Sequence, residues 1–137
     1  YGSAYGYLYN GYVIGTGQNI CPAGWHVPSD AEWSRLTDFL GGENIAGGKL
    51  KESGNSHWLS PNTGATNETH FFALPGGLRL DNPEAQFEGL GEAGYWWSMN
   101  SGETWGVIRS LRYTSYHMER LFYSKNIGLS VRCVQNY

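Results

Sequence analysis

The two cysteines carry the most reactive side chains in this sequence of 137 residues. Cys21 and Cys133 lie far apart, so they lack the close spacing that a zinc site requires. In an exported domain they would form one disulfide that joins the first third of the chain to its last strand. The alternative is a pair of small, buried thiols, and the sequence leaves both interpretations open.

The other side chains with catalytic or metal-binding chemistry form no motif. The four histidines, His26, His57, His70 and His117, show no ligand spacing. The segment Asp81-Asn82-Pro83-Glu84 comes nearest to a set of oxygen ligands for calcium, but a solvated turn explains it better. The sequence therefore predicts no catalytic residue, no metal site and no cofactor.

Noncovalent recognition is the chemistry that the last third of the chain favours. Its large apolar, aromatic and polar residues follow neither a two-residue nor a 3.6-residue period, which is typical of side chains that face solvent or a partner. Aromatic residues there would anchor a ligand and charged ones would select it. The alternative, strongest for Phe122 and Trp105, is that they are inward strand residues. The candidate ligand-binding residues, within a binding region at residues 95–134, are Met99, Asn100, Glu103, Trp105, Val107, Arg112, Tyr116, His117, Glu119, Leu121, Phe122, Tyr123 and Ile127.

Composition limits the classes of partner. The chain has 40% hydrophobic and 15% charged residues, which predicts one globular domain over residues 1–137. A net charge of -3 disfavours nucleic acid, and no run is apolar enough for membrane insertion. Abundant aromatic, serine, asparagine and glycine residues with few charges are also how antibody paratopes are composed. No signal segment opens the sequence, so localisation must come from elsewhere.

Local signals predict the helices that would position these residues. Ser29 and Glu32 form a capping-box pair, which predicts a helix at residues 30–40. A second, weaker helix is predicted at residues 46–51, where Gly47-Gly48 lowers helix propensity. The apolar face of the first helix is predicted to comprise Trp33, Leu36, Phe39 and Leu40.

A helix early in the chain and strands later in it indicate an α+β fold with an antiparallel sheet. The last strand should place Leu129, Val131 and Cys133 on one face. A buried strand followed by a turn is predicted at residues 71–77. The remaining predicted strands cover residues 6–10, 95–98, 105–113, 118–122 and 129–135.

Several stretches resemble the Fibrobacter succinogenes major paralogous domain, which is common in surface proteins of the Bacteroidetes. Two of the most specific are Gly94-Tyr95-Trp96-Trp97-Ser98 and Gly128-Leu129-Ser130-Val131-Arg132-Cys133. The others, which extend the resemblance over nearly the whole chain, lie at residues 7–10, 21–33, 47–51, 60–67, 73–77 and 109–111.

The resemblance implies a C-type-lectin-like fold in which the terminal strands pair and long loops carry the binding surface. It also implies a role as a variable protein of a diversity-generating retroelement, whose C-terminal segment is rewritten before a motif like residues 128–134; here Leu129 replaces the usual Phe. The expected function is a non-catalytic, receptor- or adhesin-like display domain for a protein or glycan ligand. Its expected location is the bacterial cell surface, as a lipoprotein or otherwise, or a phage particle.

Two alternative functions remain open from the sequence. Formylglycine-generating enzymes share the implied fold and a similar helix start at Pro28, Glu32 and Trp33, but their oxidoreductase chemistry needs a reactive cysteine pair, and both cysteines here lie in frame motifs. True C-type lectins bind calcium through Glu-Pro-Asn or Gln-Pro-Asp and Trp-Asn-Asp triplets, which this chain lacks. The second alternative is a structural module of a surface adhesin or pilus.

Overall fold

The fold is α+β, with short helices before a set of small antiparallel sheets. The computed structural model describes residues 4–15, 17, 19–99 and 102–137. None of the helices in these ranges is long and apolar enough to cross a bilayer. The helices are α1 Gly11–Ile14, α2 Asp30–Phe39 and α3 Glu43–Leu50; the strands are β1 Trp25–His26, β2 Leu78–Arg79, β3 Phe87–Glu88, β4 Ala93–Trp97, β5 Trp105–Arg112, β6 Glu119–Ser124 and β7 Val134–Gln135.

Helix α2 begins where the sequence predicts it. The Ser29 hydroxyl accepts a hydrogen bond from the Glu32 backbone N–H, and the Glu32 carboxylate accepts one from the Ser29 N–H, so the capping box is complete. The predicted apolar face is wrong at Phe39, which is 85% exposed, whereas Trp33 and Leu40 are buried. Positions i and i+7 share a face at 3.6 residues per turn, and i+6 falls well to one side of it.

Helix α3 starts three residues before its predicted position, and its two glycines explain how tightly it is packed. A Cβ atom on Gly47 would lie 2.3 Å from the carbonyl oxygen of His117, and one on Gly48 would lie 2.3 Å from that of Gly64. Glycine therefore lowers the intrinsic propensity of this helix but permits two neighbouring chain segments to contact it directly.

The largest sheet has the antiparallel order β4-β5-β6. Its strands lie within two residues of the predicted ones. The ends of the chain are joined by the antiparallel pair β1-β7 and by a bridge between Tyr9 and Leu129. A disulfide between Cys21 and Cys133 closes the same region, with Cα atoms 5.9 Å apart. The terminal parts of the chain are thus fastened to each other by both hydrogen bonds and a covalent bond.

Other predicted strands are replaced by irregular backbone. Residues 71–77 contain no strand; Ala73 makes a single parallel bridge to Lys51, and Phe72 is exposed with a φ of 54°. That left-handed conformation cannot continue a β ladder. The strand predicted at residues 6–10 reduces to the Tyr9 bridge, and it is followed by the unpredicted α1, which the Asn10 side chain caps. The last predicted strand is reduced to isolated bridges and β7.

The β4-β5-β6 sheet lies between two clusters of buried residues, because neighbouring residues of β4 point to opposite sides. Tyr95 and Trp97 belong to the cluster that includes Ile14 of α1. Trp96 belongs to the cluster that includes Trp33 of α2 and Trp58. Most of the tryptophans are therefore core residues, as the composition suggests.

Candidate functional site

The two faces of the β4-β5-β6 sheet divide the predicted binding residues into two sets. Val107 lies opposite Phe122 in the β5-β6 pairing, and Ile108 lies opposite Leu121. Because side chains alternate along a strand, Trp105, Val107 and Phe122 share one face and Ile108 and Leu121 share the other. We name the first the α2 face, after the helix that packs on part of it, and the second the α1 face.

The α2 face is covered at one end and open at the other. Leu111 is buried beneath the helices, whereas Trp105 and Phe122 each expose 57% of their surface. Val107 lies directly opposite Phe122, two residues after Trp105, and is only 9% exposed. These three residues, hereafter the aromatic patch, form an apolar surface on the part of the sheet that the helices leave open.

An ion-pair network forms the boundary between the aromatic patch and α2. Asp30, the first residue of α2, accepts two hydrogen bonds from Arg120, at 3.0 and 2.8 Å, and lies 2.8 Å from Arg109. These hydrogen bonds, that from Arg120 foremost, lower the pKa of Asp30 to about 2, so its carboxylate stays ionised. The Arg120 guanidinium also lies 5.1 Å from the centre of the Phe122 ring.

Four candidate binding residues pack against the core and are not fully exposed to solvent. Met99, Leu121, Tyr123 and Ile127 are partly buried and pack against the cluster on the α1 face. Leu121 and Tyr123 lie on this face because they alternate with Phe122 along β6. The prediction that many of these side chains face solvent therefore describes only every second residue of β6. The alternative that Phe122 and Trp105 point inward is wrong, because both are 57% exposed.

Arg112 and Glu119 form an ion pair at 3.0 Å at the far end of the α1 face. Their side chains are 42% and 34% exposed. Solvent weakens such a pair, so its contribution to stability is small and both charges remain accessible to a ligand.

The loop between β5 and β6 carries Tyr116 and His117, both exposed, on a tightly held backbone. The carbonyl of Tyr116 accepts a hydrogen bond from the Gly48 N–H at 3.2 Å. The fully buried ammonium of Lys51 donates to the carbonyls of Thr63, Arg112 and Ser115 at 2.8, 3.0 and 3.0 Å. Side chains in this loop thus project from a backbone whose position α3 and Lys51 determine.

The other sequence-predicted positions lie near these elements or outside the described residues. Glu103 is exposed just before β5. Asn100 lies outside the described residues. Cys21 and Cys133 form the disulfide, so both cysteines of the chain are bonded to each other. In the described ranges, no three His, Cys, Asp or Glu side chains form a group that could hold a metal ion.

Sequence reasoning missed the residues that hold the surface in place, Lys51 and the network of Asp30, Arg109 and Arg120. Only Arg109 carries a signal that could have been used. It lies in the middle of an apolar strand, and a charge in that position requires a buried partner. Nothing in the sequence shows that this partner would be Asp30, which is 79 positions earlier.

A separate apolar groove of about 260 Å³ lies between α2 and the end of the chain. Trp33, Leu36, Phe71 and Val134 form its apolar wall. None of the predicted binding residues lines it.

The family of the chain follows from its match to a family model. The model described as the Fibrobacter succinogenes major domain matches residues 1–135, which include the β1-β7 pair and the whole β4-β5-β6 sheet. The chain belongs to this family. No curated protein and no solved structure matches it. Within this Fibrobacter succinogenes major domain, the motif at residues 47–51 provides Gly47 against the β5-β6 loop, Gly48 against Gly64, and the buried Lys51.

Proposed function

We propose that this domain is a non-catalytic ligand-binding module that binds a protein or glycan through the aromatic patch and the neighbouring β5-β6 loop. The exposure of Trp105 and Phe122 carries the proposal, since each leaves 57% of its surface in solvent on a sheet whose other residues are mostly buried. Exposed aromatic rings are the usual centres of binding energy in protein interfaces, and their flat faces also stack on sugar rings.

The surroundings of the patch support recognition as its role. Arg120 lies beside Phe122, and the Arg112–Glu119 pair, Tyr116 and His117 supply polar groups on the same two strands and their loop. Arg120 thus borders the apolar patch with a charge, as is common in protein-binding surfaces. The Arg112–Glu119 pair, in contrast, lies on the α1 face, and the loop lies at the end of β5 opposite to Trp105. Glu103, just before Trp105, adds an exposed acidic group at the other end of β5.

A C-type-lectin-like fold is part of the proposal. The paired chain ends, the irregular backbone between α3 and β4, and the late sheet are features that such a fold would have. The further step, that the C-terminal residues are diversified by a retroelement, fits a surface in which exposed side chains project from a separately anchored backbone. Sequencing the neighbouring DNA tests this step: a reverse transcriptase beside a near-copy of the segment coding for residues 95–134, differing only at adenines, is the expected finding.

The pairing of Cys21 with Cys133 favours binding over the oxidoreductase alternative, because that chemistry uses a reactive thiol. Thiol titration of the native protein tests this choice. We expect no reactive thiol in the folded domain. One rapidly reacting cysteine, or stoichiometric bound copper or iron, would favour the enzyme.

Binding itself is tested with a panel of purified glycans and proteins. The double variant Trp105→Ser, Phe122→Ser should weaken binding at least tenfold, because hot-spot truncations cost about 2 kcal/mol or more. Phe39→Ser is the matched control, since Phe39 is an 85% exposed aromatic residue at the end of α2. Equal affinity of the folded double variant and the control for a ligand of the wild-type domain would contradict the proposal.

A further inference from the structure

Strand β6 forms an edge of its sheet, and its outer side has unused hydrogen-bonding groups. The Lys125 N–H donates to the Thr104 carbonyl at 2.9 Å, and this bond fixes which residues face β5. In antiparallel pairing the direction alternates, so Arg120, Phe122 and Ser124 direct their backbone N–H and carbonyl groups away from β5. Of these groups only the Ser124 carbonyl has a backbone hydrogen-bond partner in the described part of the chain, the Ile127 N–H.

This edge lacks the usual protection against pairing with another strand. Natural edge strands are blunted by proline, bulges or outward charges. β6 contains no proline, and Phe122 stands at its centre with 57% exposure. Its one basic residue, Arg120, is held by Asp30 on the α2 face.

We infer that β6 pairs with β6 of a second copy of this chain, antiparallel about a two-fold axis at Phe122. In this register the two Phe122 residues face each other and exchange both of their backbone hydrogen bonds, while Arg120 faces Ser124 of the second copy. The Phe122 groups and the Ser124 N–H of one strand therefore meet outward groups of the other, while the Ser124 carbonyl already accepts from the Ile127 N–H. The result is a continuous six-stranded sheet made from two copies of β4-β5-β6.

Charge and side-chain type select this register. It sets Leu121 opposite Tyr123 of the second copy, so partly buried apolar side chains meet on the α1 face. Moving the axis to Arg120 would place the two arginines opposite each other, which is unfavourable. Moving it to Ser124 would bring the strand ends against Gly11 of α1, which touches Lys125.

Pairing has a consequence for the aromatic patch. Residues directly opposite each other in a sheet point to the same side, so both Phe122 rings would lie next to each other on the α2 face. Two aromatic patches would then form one surface across the axis. The dimer itself does not depend on the proposed ligand-binding function.

Sedimentation without any ligand tests the dimer. The wild-type domain should show a reversible monomer–dimer equilibrium between micromolar and millimolar concentration, as small interfaces do. Phe122→Pro removes the N–H that faces the second copy and no N–H that faces β5, so dimerisation should weaken about tenfold or more while the fold is kept. Phe122→Ala, which keeps the N–H, should weaken it less. A monomeric wild type at millimolar concentration would overturn the inference and leave the edge open to a different chain.

Cysteine trapping tests the register independently of proline. In the chosen register a cysteine at position 122 meets its own copy with Cα atoms about 5.5 Å apart, which suits a disulfide. Phe122→Cys should therefore form a covalent dimer on mild oxidation, and Ser124→Cys should not, because it faces Arg120. Since Cys21 and Cys133 are bonded to each other, the introduced thiol is the free one. Equal cross-linking of both variants would contradict the register.

Discussion

At the scale of single residues, Lys51 is a buried charged side chain that joins separate parts of the chain. It has no exposed surface, and its ammonium donates to three carbonyls from two different loops. An ammonium has three N–H donors, so the three acceptors use its whole capacity. One side chain thereby fixes the loop at Thr63 and the first half of the β5-β6 loop to the end of α3.

Removal of this side chain should destabilise the domain strongly. Lys51→Met keeps the aliphatic length but leaves three carbonyls without their donor, so we expect a loss of about 3 kcal/mol in the free energy of unfolding. Urea unfolding measures it. Lys49→Met is the matched control two residues away, on a partly exposed side chain, and should change stability little. Equal effects of the two substitutions would show that the buried contacts contribute nothing.

The protonation of Lys51 should also be visible in the pH dependence of stability. Burial lowers the pKa of Lys51 to about 8, against 10.5 for an ordinary lysine. Between these values the unfolded chain binds more protons than the folded one, so this residue makes stability rise with pH. The difference in unfolding free energy between wild type and Lys51→Met should therefore grow from pH 8 to pH 10.5. A constant difference would indicate an unshifted pKa.

At the scale of elements, one carboxylate, that of Asp30, links α2 to two strands of the sheet. It joins the first turn of α2 to β5 through Arg109 and to β6 through Arg120. Its position at the helix N-terminus adds a favourable interaction with the helix dipole. The orientation of the helix beside the aromatic patch is therefore tied to both strands that carry the patch.

This network should stabilise the protein at neutral pH and fail in acid. Because its pKa is lowered from 3.8 to about 2, the ionised Asp30 contributes about 2 kcal/mol above pH 4, and this is lost as the pH falls through 2. Asp30→Asn should cost about that much at pH 7 and much less at pH 2, measured by denaturant unfolding. Asp38→Asn, in the same helix but exposed, should show no such pH-dependent loss. The same cost for Asp30→Asn at both pH values would contradict the role given to the charge.

How much of this arrangement the sequence predicts depends on whether the signal is local. The α2 start is predicted because the Ser29–Glu32 capping box lies within four residues. The strand expected at residues 71–77 is wrong, because Phe72 adopts a left-handed backbone that only distant packing explains. For the candidate site, the sequence predicts β5 and β6 but not which of their side chains are exposed, because exposure depends on how much of the sheet α2 covers. The period of β6 is obscured in the sequence because Phe122 on its exposed face is as apolar as Leu121 and Tyr123, which pack against the core.

At the scale of the whole molecule, the disulfide and the β1-β7 pair join the two terminal parts of the chain, and the side chain of His26 adds hydrogen bonds to this region. Its Nε2 lies 2.9 Å from both carboxylate oxygens of Glu32, and its Nδ1 contacts the side-chain oxygen of Asn136. Both neighbours are acceptors, so the doubly protonated imidazolium fits best. The hydrogen bond to Glu32, followed by that to Asn136, raises the pKa of His26 above 6.5.

The His26 hydrogen bonds should contribute less to the stability of the domain as the pH rises. A raised pKa in the folded state means that the contribution of His26 is complete below 6.5 and is lost as the pH increases through the folded value. The wild-type domain should therefore lose stability between pH 6 and pH 8 relative to His26→Gln, as measured by thermal unfolding. His70→Gln, an exposed histidine, is the control and should parallel the wild type. Parallel curves for wild type and His26→Gln would contradict the charged contact.

The contacts that hold the β5-β6 loop, from Lys51 and Gly48, are made to carbonyl oxygens. Every amino acid has a carbonyl group, so these anchors do not distinguish one loop sequence from another. Positions 113, 117 and 118 add a restriction, because their N–H groups donate to Glu92, to the Ser115 hydroxyl and to Glu43, and proline would lack that donor. Residues other than proline at positions 116 and 117 would thus leave these backbone contacts of the loop in place.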